Sequence, residues 1–250
     1  MNIALILSGG VGTRLGGDVP KQYRMVGGKP VIAYCLETLA QQKEIEAIQI
    51  VAEPSWQEFI MENGRKSVSD DSVLKASGKG EPDSADSVWK LKFQGFSLPG
   101  DNRQLSIWNG LQDIRKFAGE EDVVLIHDAA RPLLSAELIQ ACFKGMEGYE
   151  GVLPVLPMKD TVYLSENGQE ISGLLDRKQI FAGQAPEAFR IGSYYRANQF
   201  LFPDRIRQMN GSTEPAILAG MKIRMIPGDE RNFKITTRED LTRFEEIMKK

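Results

Sequence analysis

The chain has 250 residues, 42% of them hydrophobic and 26% charged, with 31 basic side chains against 34 acidic ones and a formal net charge of -3. This composition excludes collagen-like and wholly disordered chains, and the balanced charge provides no whole-molecule field for nucleic acid or an anionic membrane. Two cysteines, Cys35 and Cys142, are too few for a disulfide scaffold, and a lone histidine, His127, without a Cys-x-x-Cys pair speaks against structural zinc.

Ile3 to Leu7 is a short apolar run closed by Ser8-Gly9-Gly10, which predicts a central parallel strand. The same run reads as a strand rather than a signal peptide, and no apolar stretch approaches the ~20 residues of a membrane span. A cytoplasmic protein is therefore expected. Pro30 suits the first turn of a helix carrying Val31, Cys35 and Leu39 on one face. Ala47 to Ala52 predicts a second strand, and Pro54 to Met61 a second helix. From Glu62 to Lys90 the pattern fails: the stretch is polar, serine-rich and poor in large apolar groups, which predicts an exposed, partly mobile excursion.

Order resumes at Val88 to Phe96. Asn102 or Asp101 can cap a helix reaching about Phe117, with Ile107, Trp108, Leu111 and Ile114 on its apolar side. Val123 to Ile126 predicts a third strand ending at His127-Asp128, and Ser135 caps a helix with Leu138, Ile139 and Cys142 on one face. Gly151 to Leu156 is a fourth strand. Met158 to Leu164 and Glu170 to Leu175 flank Asn167-Gly168, a strong hairpin signal. Met221 to Ile226 predicts a late strand, and Thr236 or Thr237 caps a last helix to Lys250.

Alternating strands and helices imply an α/β fold: a Rossmann-like open, mostly parallel sheet with helices on both faces. It is expected as one domain over residues 1–250, with a β-hairpin arm inserted at 157–184. Ligands of such sheets bind beyond the carboxyl ends of strands, where Ser8-Gly9-Gly10 and His127-Asp128 fall.

The segment Ser8-Gly9-Gly10-Val11-Gly12-Thr13-Arg14-Leu15-Gly16-Gly17 can make a concave backbone nest for an anion, or serve merely as a tight turn. It is neither a dinucleotide fingerprint, since Leu15 stands where the third glycine belongs, nor a Walker loop, since Gly-Lys-Ser/Thr is missing. Arg14 within it and Lys21 soon after suit a polyphosphate that gains negative charge during reaction, although both are also compatible with plain surface charges. His127 reads as a core or strand-end histidine.

The opening Leu7 to Leu15 followed by Pro20-Lys21-Gln22-Tyr23 resembles the cytidylyltransferases acting on 2-C-methyl-D-erythritol 4-phosphate, and their ribitol 5-phosphate relatives look nearly the same there. Later segments agree in order: Gly100 to Arg103 with Ser106 and Asn109-Gly110-Leu111; His127 to Pro132; Lys159-Asp160-Thr161; Asp176-Arg177; and Asn232 to Thr237. The resemblance implies a nucleotidyltransferase that joins CTP to an alditol phosphate and releases pyrophosphate. By that resemblance Arg14, Lys21 and Lys234 hold the CTP phosphates and stabilise the transition state. Ser8, Gly9, Gly10, Gly12, Thr13 and Ala129 line the nucleotide, and Gly100, Asp101, Arg103 and Ser106 read the cytosine. Asp128 holds Mg²⁺, and Lys159, Thr161 and Arg177 on the arm serve the acceptor, from across a homodimer.

Some segments depart from the family pattern. Ser212-Thr213-Glu214-Pro215 stands near where an acidic pair is usual, Ala185-Pro186-Glu187 replaces Thr-Pro-Gln, and the 62–90 stretch is long. The first expectation is a 2-C-methyl-D-erythritol 4-phosphate acceptor in isoprenoid synthesis. The alternatives are ribitol 5-phosphate or another alditol phosphate for wall or capsule polymers, and a nucleotide-binding module without catalysis.

Overall fold

The computed structural model describes residues 1–10, 16–69 and 91–249, with the backbone alone over 65–69. Gly12, Thr13 and Arg14, and positions 70–90 of the expected excursion, lie outside the described residues.

The sheet has eight strands. Its centre is parallel: β1 (Asn2–Leu7) lies between β6 (Val123–Asp128) and β4 (Ala47–Val51), and β5 (Phe93–Ser97) closes that side. On the other side β11 (Glu187–Arg190) runs antiparallel between β6 and β7 (Gly151–Pro157). The far end of β7 pairs with β10 (Phe181–Gly183) on the same edge, while β12 (Ile223–Pro227) takes its opposite edge in parallel. The order β10-β7-β11-β6-β1-β4-β5 is thus mixed at one flank and parallel where the first three expected strands fall. Two small pairs stand apart, β2 (Met25–Val26) with β3 (Lys29–Pro30) and β8 (Val162–Leu164) with β9 (Gly173–Leu175), the latter being the expected hairpin arm.

The two-residue repeat of β1 divides the core. Ala4 and Ile6 face α1 (Val31–Gln41), α2 (Pro54–Ser69) and α4 (Ala136–Gly145), in a cluster with Ile32, Leu36, Ile60, Leu138 and Ile139. Ile3 and Leu5 face the opposite way, onto Ile107, Leu111 and Ile114 of α3 (Arg103–Ile114) and onto Ile191 and Tyr194 of α5 (Ile191–Gln199). Successive strand side chains point to opposite faces, so a strand that is apolar throughout must be covered on both. A third cluster docks Leu241 and Phe244 of α7 (Arg238–Met248) onto Val26, Val31 and Tyr34. Cys35 and Cys142 are buried free thiols.

The caps follow the sequence. The side chain of Asn102 accepts from Leu105 N, that of Ser135 from Leu138 N, and that of Thr237 from Asp240 N in a full capping box. One boundary is corrected: Glu62 to Ser69 are not excursion but the last turns of α2, which runs 16 residues. Leu-poor sequence there hid a helix whose inner face is set by Phe59 and Ile60. Among the described residues no helix is long and apolar enough to cross a membrane.

Candidate active site

Beyond the carboxyl ends of β6, β1, β4 and β5 the chain forms a cleft of about 440 Å³. The parallel ladder continues past the strands to shape its floor: Ala129 N donates to Leu7 O at 3.1 Å, Ser8 N to Val51 O at 2.9 Å and Ala52 N to Ser97 O at 3.1 Å. Two glycines are dictated by close approach. A Cβ on Gly9 would fall 2.4 Å from Pro99 Cβ, and one on Gly100 would fall 2.3 Å from Leu105 Cβ and 2.8 Å from its carbonyl carbon. The turn after β1 therefore packs its bare Gly9 on the Pro99 ring, and Gly100 lets the next turn fold tightly onto the start of α3.

Lys21 lines this cleft from a one-turn helix, Lys21–Tyr23, whose other two residues are buried. Gln22 Nε2 donates to Ser8 O at 2.7 Å and to Gly10 O at 2.8 Å. Ser8 Oγ lies 2.8 Å from the Tyr23 hydroxyl, which donates to Ser8 O at 2.9 Å. Burial raises the Tyr23 pKa, so it remains a neutral donor, and its ring stacks on Trp56 at 4.3 Å. Gln22 and Tyr23 thus fix the entry of the glycine turn and the root of Lys21 in one network, with the Ser8 and Gly10 carbonyls satisfied by side chains.

Asp128, at the end of β6, is the electrostatic hub. Arg103 reaches its Oδ1 through Nε at 3.2 Å and Nη2 at 3.1 Å, Lys234 Nζ lies 2.9 Å from Oδ2, and Arg131 Nε lies 3.6 Å from Oδ2. Burial alone would raise the Asp128 pKa; the surrounding Arg103, Lys234 and Arg131 outweigh it and hold the carboxyl far below the ordinary carboxylate range. Lys234 comes from the other end of the chain, carried by a stapled loop. Ile235 N donates to Ala130 O at 2.8 Å, Arg131 Nη1 to Asn232 O at 2.7 Å, and Asn232 Nδ2 to Ala185 O at 2.7 Å. His127, beside Asp128, is fully buried, and burial lowers its pKa to about 4, so it is neutral and takes no charge in the cleft.

The remaining expected residues divide. Gly9, Gly10, Gly100, Asp101, Arg103, Ser106, Lys21, Asp128 and Lys234 all line the cleft. Ala129 is buried beneath it, and Ala130 is the lining residue instead. Ser8 is buried in the Tyr23 network. Ser106 Oγ accepts from Gly100 N at 3.0 Å and donates to Asn102 O at 3.0 Å, which organises the turn. Asp101 pairs with Arg207 at 2.9 Å on the surface. Lys159, Thr161 and Arg177 do not reach this chain's own cleft: Arg177 Nη1 donates to Lys159 O at 2.7 Å, and Lys159 Nζ pairs with Glu230.

Sequence reading missed how two departures meet. Glu187, buried on β11 opposite Ile126, accepts hydrogen bonds from Ser212 Oγ and from Thr213 Oγ1 at 3.1 Å. Burial raises the Glu187 pKa, against the pull of Arg103. Ala185-Pro186-Glu187 and Ser212-Thr213 are therefore one contact. The signal available beforehand was the joint presence of an acid and two hydroxyls at positions where the family pattern differs.

Among the described residues no group of three or more His, Cys, Asp and Glu side chains could hold a metal. Asp128 supplies a single carboxylate, whose oxygens are engaged by Arg103 and Lys234, so Mg²⁺ there would draw most of its ligands from substrate phosphates and water.

An open, mostly parallel sheet with a glycine turn and converging cations at its strand ends fits the nucleotidyltransferase class, and the relatives of this chain belong to it. The sequence profile of the 2-C-methyl-D-erythritol 4-phosphate cytidylyltransferase (IspD) family matches residues 94–250, and that of the MobA-like NTP transferase domain matches residues 4–80. A 2-C-methyl-D-erythritol 4-phosphate cytidylyltransferase of Rubrobacter xylanophilus is 34% identical over 98% of this chain and 94% of its own. A ribitol-5-phosphate cytidylyltransferase of Vibrio parahaemolyticus is 29% identical over 99% and 96%. In fold, the chain is similar to the crystal structure of 4-diphosphocytidyl-2C-methyl-D-erythritol synthase from Anaerococcus prevotii, with a TM-score of 0.74, 21% identity, and coverage of 100% of this chain and 96% of that one. The chain belongs to the 2-C-methyl-D-erythritol 4-phosphate cytidylyltransferase (IspD) family.

Replacing Asp128 by Asn leaves its three cations around a neutral group, and at pH 7 this is expected to cost about 3 kcal/mol. Because the folded pKa is depressed, the carboxylate contributes fully above the unfolded value of about 3.9 and progressively less below it. Urea titrations should therefore show the gap between parent and Asp128→Asn narrowing as pH falls below about 4. An unchanged gap at pH 7 and pH 3 would contradict the ion-pair account.

Proposed function

We propose that this chain transfers CMP from CTP to 2-C-methyl-D-erythritol 4-phosphate with release of pyrophosphate, in isoprenoid precursor synthesis. The observation that carries the reading is the convergence of Lys21, Arg103 and Lys234 with Asp128 in one cleft, in a chain 34% identical over 98% of its length to an enzyme named for that activity. The acceptor phosphate is already an anion, so no protein nucleophile is required. Its oxygen attacks the α-phosphorus of CTP, the new P–O bond forms, and the bond to the β-phosphate oxygen breaks. The protein's task is to hold two polyanions in line and offset their charge.

In this reading Lys21, Lys234 and Arg14 hold the phosphates, together with Gly9 and Gly10, which line the cleft. Arg103, paired with Asp128, sits among these cations as well as beside the base-side turn at Gly100 and Asp101. Asp128 would hold Mg²⁺, which when bound neutralises phosphate charge and orients the triphosphate. A setting in the cytoplasm accords with a CTP-dependent enzyme whose two cysteines are free thiols.

The acceptor residues belong to a homodimer. The arm carries Tyr163, Leu164, Ile171 and Leu174, each more than half exposed. A two-stranded hairpin is marginally stable alone, and an apolar patch of this kind asks for a cover. A second copy supplies that cover, and places Thr161 and Arg177 of each protomer at its partner's cleft. A ribitol 5-phosphate acceptor is the second reading, supported by the Vibrio parahaemolyticus relative.

Pyrophosphate release from CTP with a panel of alditol phosphates tests the reading. Turnover with 2-C-methyl-D-erythritol 4-phosphate is expected; turnover with ribitol 5-phosphate alone would select the second acceptor, and CTP binding without release on any acceptor would favour a non-catalytic module. Lys21→Ala should lower kcat by roughly 10²- to 10³-fold while CTP affinity falls much less; equal losses would make Lys21 a ground-state anchor. Arg177→Ala should raise KM for the acceptor and spare that for CTP, whereas a change confined to CTP would remove the arm from acceptor binding.

A further inference from the structure

Asp128 is asked to do two things. Its Oδ1 is held by Arg103 and its Oδ2 by Lys234, yet the metal role proposed for it needs an oxygen to be released. A buried guanidinium that leaves its carboxylate without finding another is strongly disfavoured. A second carboxylate stands close by.

Ile126 and Asp128 are two residues apart on β6 and share a face of the sheet, since successive strand side chains alternate. Glu187 of β11 lies directly opposite Ile126, which puts it on that same face, diagonal to Asp128 at a typical separation of roughly 7–8 Å. The packing agrees: Ile126 and Phe189, one on each strand, both join the cluster made with α3 and with Tyr194 of α5. Both acids are buried, at 7% exposure for Asp128 and 8% for Glu187. Arg103, the first residue of α3, spends Nε and Nη2 on Asp128 Oδ1, which leaves Nη1 outside that pair. Glu187 takes the hydroxyls of Ser212 and Thr213 on one oxygen, Oε2, and among the described residues no hydrogen bond reaches its Oε1. The two half-used groups are electrostatically coupled: burial lowers the Arg103 pKa, and Asp128 first and Glu187 second lift it above its ordinary value.

We infer that Glu187 is a positioning residue, the second seat of the Arg103 guanidinium: Arg103 shifts from Asp128 Oδ1 toward Glu187 Oε1 and so frees Asp128 for a divalent cation that enters with the triphosphate. This deepens the cytidylyltransferase reading above and rests on the metal role it gives Asp128. Ser212 and Thr213 hold the seat from the loop before α6 (Glu214–Leu218).

The test is calorimetry of CTP binding in excess EDTA and in saturating MgCl2, which gives the factor by which Mg²⁺ tightens CTP. It is measured, with thermal midpoints, in the parent, Glu187→Gln, Thr213→Val, Arg103→Ala and the double variant Arg103→Ala/Glu187→Gln. A glutamine keeps an acceptor oxygen for Ser212 and Thr213 and removes only the charge. Glu187→Gln should therefore cut the Mg²⁺ factor by roughly 10-fold while CTP affinity in EDTA stays near the parent's. Thr213→Val should lower the thermal midpoint and keep the parent's factor, and in the Arg103→Ala background the change at Glu187 should have little effect. An unchanged factor in Glu187→Gln, an equal fall in Thr213→Val, or an undiminished effect without Arg103 overturns the inference. If Mg²⁺ does not tighten CTP in the parent, the metal role of Asp128 fails and the inference falls with it; if CTP does not bind the parent at all, it is the cytidylyltransferase reading that fails.

Discussion

The cleft depends on a buried carboxylate that gathers three cations from three parts of the chain. Without Asp128, Arg103 at the start of α3, Arg131 in the loop after β6 and Lys234 near the far end of the chain would repel one another in a partly desolvated space. With it, their positive charge is held close and aimed at one place. Desolvation works against the ionised form, and the cations overcome it. The arrangement is preorganised: a polyanion entering the cleft meets donors already in position.

The scaffold supplies the geometry through simple means. Parallel pairing of β1 with β6 and β4 brings three strand ends level, so that Ser8, Asp128 and Ala52 emerge side by side. The missing side chain of Gly9 lets one rim of the cleft pack on Pro99 of the other, and that of Gly100 lets the second rim turn tightly into α3. Gln22 and Tyr23 then tie the glycine turn to the helix that carries Lys21. Each of these contacts is short in the sheet and long in sequence.

That last property explains what the sequence disclosed and what it withheld. Ile3 to Leu7 and Val123 to Asp128 were readable because strands covered on both faces are apolar throughout, and Asn102, Ser135 and Thr237 because capping is a local affair. Lys21, Asp128 and Lys234 were found through their motifs, and the structure brings them to one cleft. The short strands β10 and β11 and helix α5 carried no periodicity long enough to register; β11 has four residues, and its partners lie more than 30 positions away. The Glu187 contact with Ser212 and Thr213 spans 25 and 26 positions, and no local pattern encodes it. The end of α2 was hidden because its residues are mostly polar, a composition that resembles a loop.

The root of the arm is riveted to the loop that bears Lys234. Gln184 exchanges two hydrogen bonds with the backbone of Asp229, Asn232 holds Ala185 O, and Lys159 pairs with Glu230. The hairpin and the short segment that presents the ammonium to Asp128 therefore share one anchorage.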